Sequence, residues 1–586
     1  MRLSNIDGVR RLGIFFFYDA EGRADDYVFT LLDSLAPHFS QQIVVVNGEL
    51  DEASRARFTA MPGTELLVRA NEGFDSWAYK AALDHLGWEA VDAFDELIMY
   101  NFTIVGPVAS FDAMFERMDD RDLDFWGITV HHGAPFDPWG LLETPTLQEH
   151  IQSHFIAVRR SLASSALFHT YWDKLPPIPD YAHAVAKHEA RFTHHFAAQG
   201  FAWAPYVDTS DMRSRTFYPL NTLPVELIRD RECPIFKRKT LFAGQESVLD
   251  ENGTRNARDL YDFLDASGRY DMAVLREHMQ RTMDQRAQFQ TMHDFILLPE
   301  GPPADPVAVP SSSAIVSTGV REPERTALAA ALADEVVLAG PEPRIAAAQT
   351  RAVAARRHAI TAAAQVDGDV ILLVDVDGFP EEMPSVDAED RRWAVREALG
   401  SDRATAERVL AEFARDPLLG MVVAPPSLHR GWFGELGHEW DGAHPDFHDI
   451  RRALGVTVPT DPRGAPLAAV GGAAWIRRSA ILPFAAAVEA APAGLLVGLS
   501  LADWGRLLPL AVQQQGYAVR IALSPALAKN LLSISLQTLR RIGAAAGHGA
   551  GEGASQLVAR LDADAKRGAH RGAAGFAARL RGLLRA

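Results

Sequence analysis

Side chains that could bind or activate a ligand are concentrated in residues 71–80, directly after the short apolar run 65–69. Its polar and aromatic members are Asn71, Glu72, Phe74, Asp75, Ser76, Trp77, Tyr79 and Lys80, and Gly73 lies among them. A short strand, a polar turn with a glycine and the start of an Ala-rich helix place such groups at the carboxyl end of a strand, where open α/β sheets bind ligands. We therefore interpret the segment as the edge of a ligand pocket.

The elements that must position this segment follow the order of a parallel sheet. Apolar runs predict strands at residues 13–19, 42–47, 65–69, 96–100, 123–129 and 150–159. Helical patterns occur at residues 26–35, 161–174 and 181–199. Strand, helix and strand at this spacing are typical of a βαβ unit. Asp19 ends the first predicted strand, and Asn101 and Thr103 follow the fourth.

At 586 residues the chain is too long for one ordinary core. Residues 1–300 are predicted to form one α/β domain. The proline-rich residues 301–313 are the predicted linker. The same alternation of strands and helices at 314–542 predicts a second, related α/β domain. Residues 543–586 are rich in Gly and Ala and then basic, which predicts a flexible tail.

The composition narrows the class of protein. An apolar fraction of 48% is that of a soluble globular protein, and a net charge of −18 argues against nucleic-acid binding, which requires clustered Lys and Arg. Cys233 is the one cysteine, which excludes an internal disulfide and favours a reducing compartment. A cytoplasmic protein is expected. Its basic tail could touch anionic lipid at the inner face of the membrane, or could remain solvated.

Four motifs in the first predicted domain follow one another in order. They are Asn71-Glu-Gly-Phe-Asp75 with Tyr79-Lys80, Asp95-Glu-Leu-Ile-Met-Tyr-Asn101-Phe-Thr103 with Gly106-Pro107, Asp124-Phe-Trp-Gly-Ile-Thr129, and His150-Ile-Gln-Ser153. Together they resemble the rhamnan synthesis protein F family, whose members look like bacterial rhamnosyltransferases and related enzymes of cell-surface polysaccharide synthesis. The resemblance covers nearly all of residues 10–250. It implies a GT-A-like (Rossmann-like), mostly parallel sheet domain followed by a related but degenerate α/β domain.

The activity that the resemblance implies is glycosyl transfer from a nucleotide-sugar donor, with dTDP-rhamnose as the expected donor, to a glycan or lipid-linked glycan acceptor. Transfer requires neutralisation of the leaving diphosphate and a general base for the acceptor hydroxyl. Glu189 and Asp75 are the implied catalytic residues, with Glu189 as the base. The implied substrate-binding residues are Asp19, Asn71, Glu72, Gly73, Asp75, Tyr79, Lys80, Asn101, Thr103, Trp126, Gln152 and His154.

Individual roles follow from residue type and predicted place. The expected partners are the base or ribose for Asp19, the ribose or sugar for Asp75, a stacked ring for Tyr79, phosphate for Lys80, and the acceptor for Gln152 and His154. The basic run 237–239 could also neutralise the diphosphate, although a solvated charge run is the more ordinary interpretation. Glu189 could likewise be a helix-surface carboxylate beside Lys187 or Arg191.

The sequence leaves undecided whether a divalent cation, Mg²⁺ or Mn²⁺, is a cofactor. Where the family usually reads Leu-Asn-Asp-Ser, this chain reads Tyr100-Asn101-Phe102-Thr103. The acid that would bind a metal is therefore replaced by Phe102. This departure moves the expectation toward neutralisation of the diphosphate by side chains such as Lys80.

Two other functions stay open. The second half keeps the family's frame with few of its polar positions, which suggests an accessory or acceptor-binding domain, and a non-catalytic scaffold of a polysaccharide-assembly complex is the alternative. Asp375 and Asp377 end an apolar run and could bind a metal, serve a haloacid-dehalogenase-like phosphatase, or simply cap a loop. The phosphatase interpretation is the weakest, since Lys529 and Lys566 do not precede a strand with paired acids.

Overall fold

The chain divides into two compact units, with the division after His278. The computed structural model describes residues 2–242, 255–301, 307–317, 329–339, 357–374, 386–425, 440, 444–462, 464–467, 473–496, 499, 501–547 and 554–569. The chain passes from one unit to the other within a helix at Met272–Thr282. Each unit is built around its own sheet of seven strands.

The first unit alternates strands with helices, as its sequence predicts. Its strands are β1 (Arg11–Phe17), β2 (Gln41–Asn47), β3 (Thr64–Arg69), β4 (Glu96–Asn101), β5 (Ile104–Val105), β6 (Phe125–Gly127), β7 (Val130–His131), β8 (His150–Ile151), β9 (Phe155–Arg159), β10 (Trp203–Pro205) and β11 (Phe236–Lys237). Its helices are α1 (Asp26–Leu35), α2 (Glu52–Ala60), α3 (Phe74–Leu86), α4 (Trp88–Val91), α5 (Phe111–Asp119), α6 (Arg160–Ala163), α7 (Ala166–Asp173), α8 (Tyr181–Ala184), α9 (Ala190–Ala197), α10 (Pro219–Thr222), α11 (Pro224–Arg231) and α12 (Arg255–Ser267).

The main sheet of this unit has the strand order β10-β6-β9-β4-β1-β2-β3. Adjacent strands in this sheet are parallel, except that β9 is antiparallel to both β4 and β6. β1 lies inside the sheet between β4 and β2 and is buried along its whole length, which explains its continuous apolar sequence. The carboxyl ends of β1, β3 and β4 therefore meet at one edge.

The second unit has the same kind of sheet. Its strands are β12 (Phe295–Leu297), β13 (Ser312–Ser317), β14 (Glu335–Ala339), β15 (Val370–Val374), β16 (Leu419–Val423), β17 (Ala473–Arg477) and β18 (Ala518–Leu523). The helix at the division is α13 (Met272–Thr282), and those after it are α14 (Gln285–Met292), α15 (Val386–Leu399), α16 (Arg403–Arg415), α17 (His444–Ala453), α18 (Arg478–Ala490), α19 (Ala493–Leu496), α20 (Leu501–Gln514), α21 (Pro525–Ala545) and α22 (Ala554–Ala569).

The two sheets share their topology. In the second, the order is β12-β18-β16-β17-β15-β13-β14, and β17 is antiparallel to both of its neighbours. Strand for strand, β14-β13-β15-β17-β16-β18 repeats β2-β1-β4-β9-β6-β10, in the same chain order. The predicted fold class, a mostly parallel α/β domain followed by a related one, is confirmed.

Described elements cross two of the boundaries drawn from the sequence. The predicted linker at 301–313 does not separate the sheets, because β12 lies before it and pairs with β18, while β13 begins inside it at Ser312. The tail predicted to be flexible from residue 543 contains α22, and α21 continues to Ala545. The basic residues after 569 lie outside the described part of the chain. Among the described helices, none is both long and apolar enough to cross a membrane.

Candidate active site

A cavity of about 820 Å³ opens at the carboxyl edge of the first unit's sheet. Its walls come from Phe16 and Tyr18 at the end of β1, from residues 71–75 and 101–103, and from the segments 177–189 and 237–239. The sequence prediction that residues 71–75 border a ligand pocket at this edge agrees with their position. Both acidic and basic side chains face the cavity.

The start of α3 fixes the direction of Asp75. Gly73 precedes the helix with φ of 70°, a left-handed conformation that favours glycine, and a Cβ at this position would collide with Trp77. The helix then places Asp75 in its first turn, where its Oδ1 accepts a hydrogen bond of 2.9 Å from the backbone N–H of Ser76. The other oxygen of Asp75 points to the end of β4.

Asp75 and Glu189 are joined through one hydroxyl group. Ser153 Oγ lies 2.8 Å from Asp75 Oδ2 and 2.7 Å from Glu189 Oε2. Glu189 Oε2 also accepts the backbone N–H of Ser153 at 2.9 Å, and Asp75 Oδ2 accepts the Asn101 side-chain amide at 3.1 Å. The fold thus brings Ser153 into contact with Asp75, 78 residues before it in the sequence, and with Glu189, 36 residues after it.

Glu189 owes its position to an irregular helix. Residues Val185–Glu189 form a π-helical turn between α8 and α9, in which the N–H of Ala190 bonds the carbonyl of Val185. Such turns are rare and frequently mark functional sites, because the widened turn displaces a side chain from regular helical spacing. The neighbouring His150 brings its Nε2 to 3.6 Å from Glu189 Oε1.

The Ser153 hydroxyl has a single hydrogen, which it can donate to only one of the two carboxyl groups. The other carboxyl group can complete the second bond only by donating a proton of its own. Burial raises the pKa of Asp75, and the nearby charge of Glu189 raises it further. Burial also opposes ionisation of Glu189, but its contacts with His150, Lys237 and Ser153 outweigh this and hold the pKa of Glu189 well below its usual range. Of the two carboxyl groups, Asp75 is therefore the one that takes up a proton first as pH falls.

A second chain of hydrogen bonds connects β11 to the same carboxylates. The Lys237 ammonium donates to Thr103 Oγ1 at 2.8 Å, and Thr103 Oγ1 donates to Asn101 Oδ1 at 2.5 Å. Asn101 in turn donates to Asp75. Burial lowers the pKa of Lys237 to about 8, even though Glu189 and Asp75 favour its charged form. The network therefore runs unbroken from a cation at one wall to an anion at the other.

Several predicted residues take part in this site. The ones that line the cavity are Asn71, Glu72, Gly73, Asp75, Asn101, Thr103 and Glu189. Tyr79 lies beneath them, fully buried, and donates its hydroxyl to the Ser153 carbonyl at 3.2 Å. Burial and the charge of Asp75 raise the pKa of Tyr79 well above its usual value, so it acts as a hydrogen-bond donor in the floor and cannot stack on a ligand.

Five predicted residues point elsewhere. Lys80 pairs with Asp84 at 2.9 Å on the helix surface, and Asp19 accepts the backbone N–H groups of Glu21 and Arg23 in its own loop. Trp126, Gln152 and His154 are buried. Their side chains do not line the cavity, and the reason is that the sheet packs both faces of β6 and of the chain leading into β9.

Two of these buried groups have identifiable roles in packing. The Trp126 indole donates to Glu96 Oε1 at 2.8 Å, and Gln152 accepts the Thr129 hydroxyl at 3.1 Å. His154 makes no side-chain hydrogen bond within the described structure, and burial beside Lys237 lowers its pKa well below the usual value. It is therefore a neutral ring behind the site.

Sequence reasoning missed some of the residues that complete the cavity, and for Lys237 it ranked a role at the diphosphate behind a solvated charge run. Ser153 was part of a motif without a role, and Lys237 belonged to a run that is ordinarily solvated. Aromatic walls from Tyr18 and Trp77 were also missed. The antiparallel pairing of β11 with β5, which sets Lys237 opposite Ile104, is the long-range signal that would have found the lysine.

The oxygen atoms at this site are poorly suited to bind a divalent cation. Ligands of Mg²⁺ and Mn²⁺ are oxygens with free lone pairs. Here Asn101 Oδ1 accepts two hydrogen bonds, and Asp75 Oδ2 and Glu189 Oε2 each contact the Ser153 hydroxyl and one N–H donor. A lysine ammonium also stands beside them. Within the described ranges, no cluster of three or more His, Cys, Asp or Glu residues is arranged to hold a metal.

The region that contains this site matches a known protein family. Residues 42–300 match the family model described as rhamnan synthesis protein F. The resemblance is confirmed over this region. No curated protein matches the chain. The rhamnan synthesis protein F region contains every residue of the Asp75–Ser153–Glu189 and Lys237–Thr103–Asn101 connections.

Solved structures with limited likeness include three sugar-transfer proteins. A Desulfovibrio desulfuricans protein assigned to the nucleotide-diphospho-sugar transferases is 14% identical over 46% of this chain and 98% of its own, with a TM-score of 0.23. The mannosyltransferase PcManGT from Pyrobaculum calidifontis, solved with GDP-Man and Mn²⁺, is 13% identical over 48% and 83%, also at 0.23. Glucosyl-3-phosphoglycerate synthase from Mycobacterium tuberculosis is 11% identical over 26% and 57%, at 0.18. The match thus spans little more than half of the mycobacterial enzyme, and at these TM-scores the likeness does not bear on activity.

Proposed function

We propose that the first unit is a glycosyltransferase that uses a nucleotide-sugar donor. The observation that carries the proposal is the pairing, in one cavity, of an ionised Glu189 with the Lys237 ammonium across a continuous hydrogen-bond network. One side of the cavity supplies a base and the other a cation. The match to rhamnan synthesis protein F supports the same class of reaction.

The proposed step is a displacement at the anomeric carbon of the donor sugar. The acceptor hydroxyl oxygen forms a bond to that carbon, its proton passes to Glu189, and the bond from the carbon to the diphosphate oxygen breaks. The nucleoside diphosphate leaves with the bonding electron pair, facing Lys237. Asp75, Asn71 and Glu72 line the space between and would hold the sugar or ribose.

The aromatic walls suit the remaining parts of such a donor. Tyr18 and Trp77 line the cavity near its acidic side chains. Aromatic faces stack on nucleobases and on the apolar face of a sugar ring, so they bind these groups with little dependence on exact identity. We further propose a deoxyhexose donor, dTDP-rhamnose, and a growing cell-surface glycan or lipid-linked glycan acceptor, on the strength of the family alone.

The second unit is proposed to bind the acceptor or to scaffold its assembly. Its sheet repeats the first unit's topology, and β15 takes the place of β4. Asp375 and Asp377, which follow β15 in the sequence, lie outside the described residues. The phosphatase alternative therefore rests on sequence alone, and an Asp375→Asn variant in a phosphate-ester assay would decide it.

Contact with an anionic membrane surface is proposed for α21. Leu532, Leu536 and Leu539 recur at helical spacing and are 62%, 59% and 65% exposed. The helix carries Lys529, Arg540 and Arg541 and no acidic residue, although the chain's net charge is −18. An apolar stripe flanked by cations is typical of helices that lie in the lipid headgroup region.

Turnover of candidate donors tests the main proposal. Purified full-length protein is incubated with dTDP-, UDP- and GDP-sugars, and released nucleoside diphosphate is measured with and without a glycan acceptor. We expect release that depends on the acceptor, and its loss in Asp75→Ala and Glu189→Gln variants that keep the wild-type circular dichroism spectrum. Folded protein with no release from any donor would favour the scaffold.

A further inference from the structure

Phe102, at the end of β4, packs against Arg238 of the basic segment 237–239. Phe102 stands where the family usually has an acid, and the Arg238 guanidinium lies over its ring at 5.3 Å from the centroid. The Arg238 N–H also donates to the Thr103 carbonyl at 2.8 Å. A basic segment thus packs directly on the strand end, with an aromatic ring in place of the carboxylate.

The basic segment is held firmly in this place. Its strand, β11, pairs with β5, and the Arg238 side chain hydrogen-bonds His278 at 3.0 Å. His278 is itself bonded to Asp25 at 2.5 Å. Lys237, Arg238 and Lys239 all line the cavity. Held in this way, three consecutive cations form part of the wall, and their side chains do not need to be ordered when an anion binds.

Lys237 keeps binding capacity for such an anion. An ammonium group has three N–H donors. Among the described residues, Thr103 is its hydrogen-bond partner, so two donors are available to a ligand. Its ammonium contacts Thr103, which directly follows Phe102 at the end of β4.

We propose that Lys237, assisted by Arg238 and Lys239, neutralises the donor diphosphate in place of a divalent cation, so that donor binding does not require metal. This inference rests on the proposed glycosyltransferase function. Charge-assisted hydrogen bonds from a fixed ammonium to phosphate oxygens supply both attraction and orientation. Phe102 offers no oxygen to a metal ion and provides the surface on which Arg238 packs.

The same lysine couples donor binding to the base. Lys237 is connected to Glu189 through Thr103, Asn101, Asp75 and Ser153, and its charge helps to hold the pKa of Glu189 down. An anionic diphosphate on Lys237 offsets that positive charge, so the pKa of Glu189 rises when the donor is present. The base becomes a stronger proton acceptor only after the donor has bound.

Calorimetric titration of dTDP, UDP and GDP into the full-length protein tests the inference. Titrations are run in EDTA and again in excess Mg²⁺ or Mn²⁺. We expect at least one nucleotide to bind in EDTA with a Kd within about threefold of its value in metal. Lys237→Met should weaken this binding roughly 10- to 100-fold, as expected for loss of a charged hydrogen bond, and Lys237→Arg should restore part of it.

Lys80→Met is the matched control, because Lys80 pairs with Asp84 outside the cavity and its loss should leave the Kd unchanged. A nucleotide that binds only in the presence of metal, or equally well to Lys237→Met, overturns the inference and leaves the proposed glycosyltransferase intact. Failure of all three nucleotides to bind in either condition overturns the proposed function itself.

Discussion

Ser153 Oγ lies 2.7 Å from Glu189 Oε2, on a turn that separates β8 from β9. Ser153→Ala should lower the free energy of unfolding by about 1–3 kcal/mol near pH 8, because a partly buried carboxylate loses its donor. The loss should shrink toward pH 5. The pKa of Asp75 is raised in the folded state, so protonation stabilises the fold at low pH, and this stabilisation disappears as pH rises through that pKa.

Thermal unfolding midpoints at the two pH values check this prediction. Ser161→Ala is the control, since the Ser161 hydroxyl also bonds a carboxylate, Asp124, but at an exposed position away from the cavity. Its effect should be small and independent of pH. An equal loss for Ser153→Ala at both pH values would show that Asp75 does not take up a proton between them.

Glu189→Gln should reduce turnover by roughly 10²- to 10⁴-fold, the usual contribution of a general base. Donor affinity should change much less, because the amide keeps the shape of the side chain and the charge of Lys237 remains. The measurements are kcat and the donor Kd. Glu143→Gln is the control, since Glu143 contacts Arg191 on the same part of the unit and is exposed. Comparable kcat values for the two variants would remove Glu189 from catalysis.

Trp126→Phe should destabilise the fold without affecting donor binding. The indole N–H donates to the fully buried Glu96, which also pairs with Arg11 at 2.8 Å. Removal of one donor from a buried carboxylate costs about 1–3 kcal/mol. Trp77→Phe should instead weaken donor binding and affect stability less, because Trp77 lines the cavity. The two variants are compared by melting temperature and by donor Kd, and a raised Kd in stable Trp126→Phe would restore Trp126 to the site.

Vesicle sedimentation tests the apolar stripe of α21. The triple variant Leu532→Gln, Leu536→Gln, Leu539→Gln should bind anionic vesicles about tenfold or more weakly than the wild type, and added salt should weaken the wild type as well. Neutral vesicles should bind neither protein. The control replaces two exposed leucines elsewhere, Leu167 and Leu297. If the triple variant changes the oligomeric state and leaves vesicle binding intact, the stripe is a contact between copies.

The strands and helices of the first unit were largely predictable, because buried parallel strands have continuous apolar sequences that need no context. The helix Asp26–Leu35 has the predicted bounds. The predicted strand at 150–159 is instead two strands with a break at 152–154. The polar residues Gln152, Ser153 and His154 coincide with the break, but they are buried like their neighbours, so they do not have the exposure expected of a turn.

The cation of the site was harder to predict than its acids. Asp75 is near the strand end that positions it, whereas Lys237 meets Thr103 across 134 residues through two-residue strands. Pairing of such short strands leaves little trace in sequence. The position of Lys80 outside the cavity could have been predicted locally. Asp84 lies four residues later on the same helix face, where an ion pair is expected.

A crystal structure of the full-length protein with a bound nucleoside diphosphate tests the central claim most directly. We predict that the phosphates lie in the cavity of the first unit, within hydrogen-bond distance of Lys237 Nζ and beside Asn101 and Asp75. A nucleotide bound elsewhere, such as at the chain following β15 in the second unit, with the first unit's cavity empty, would contradict it.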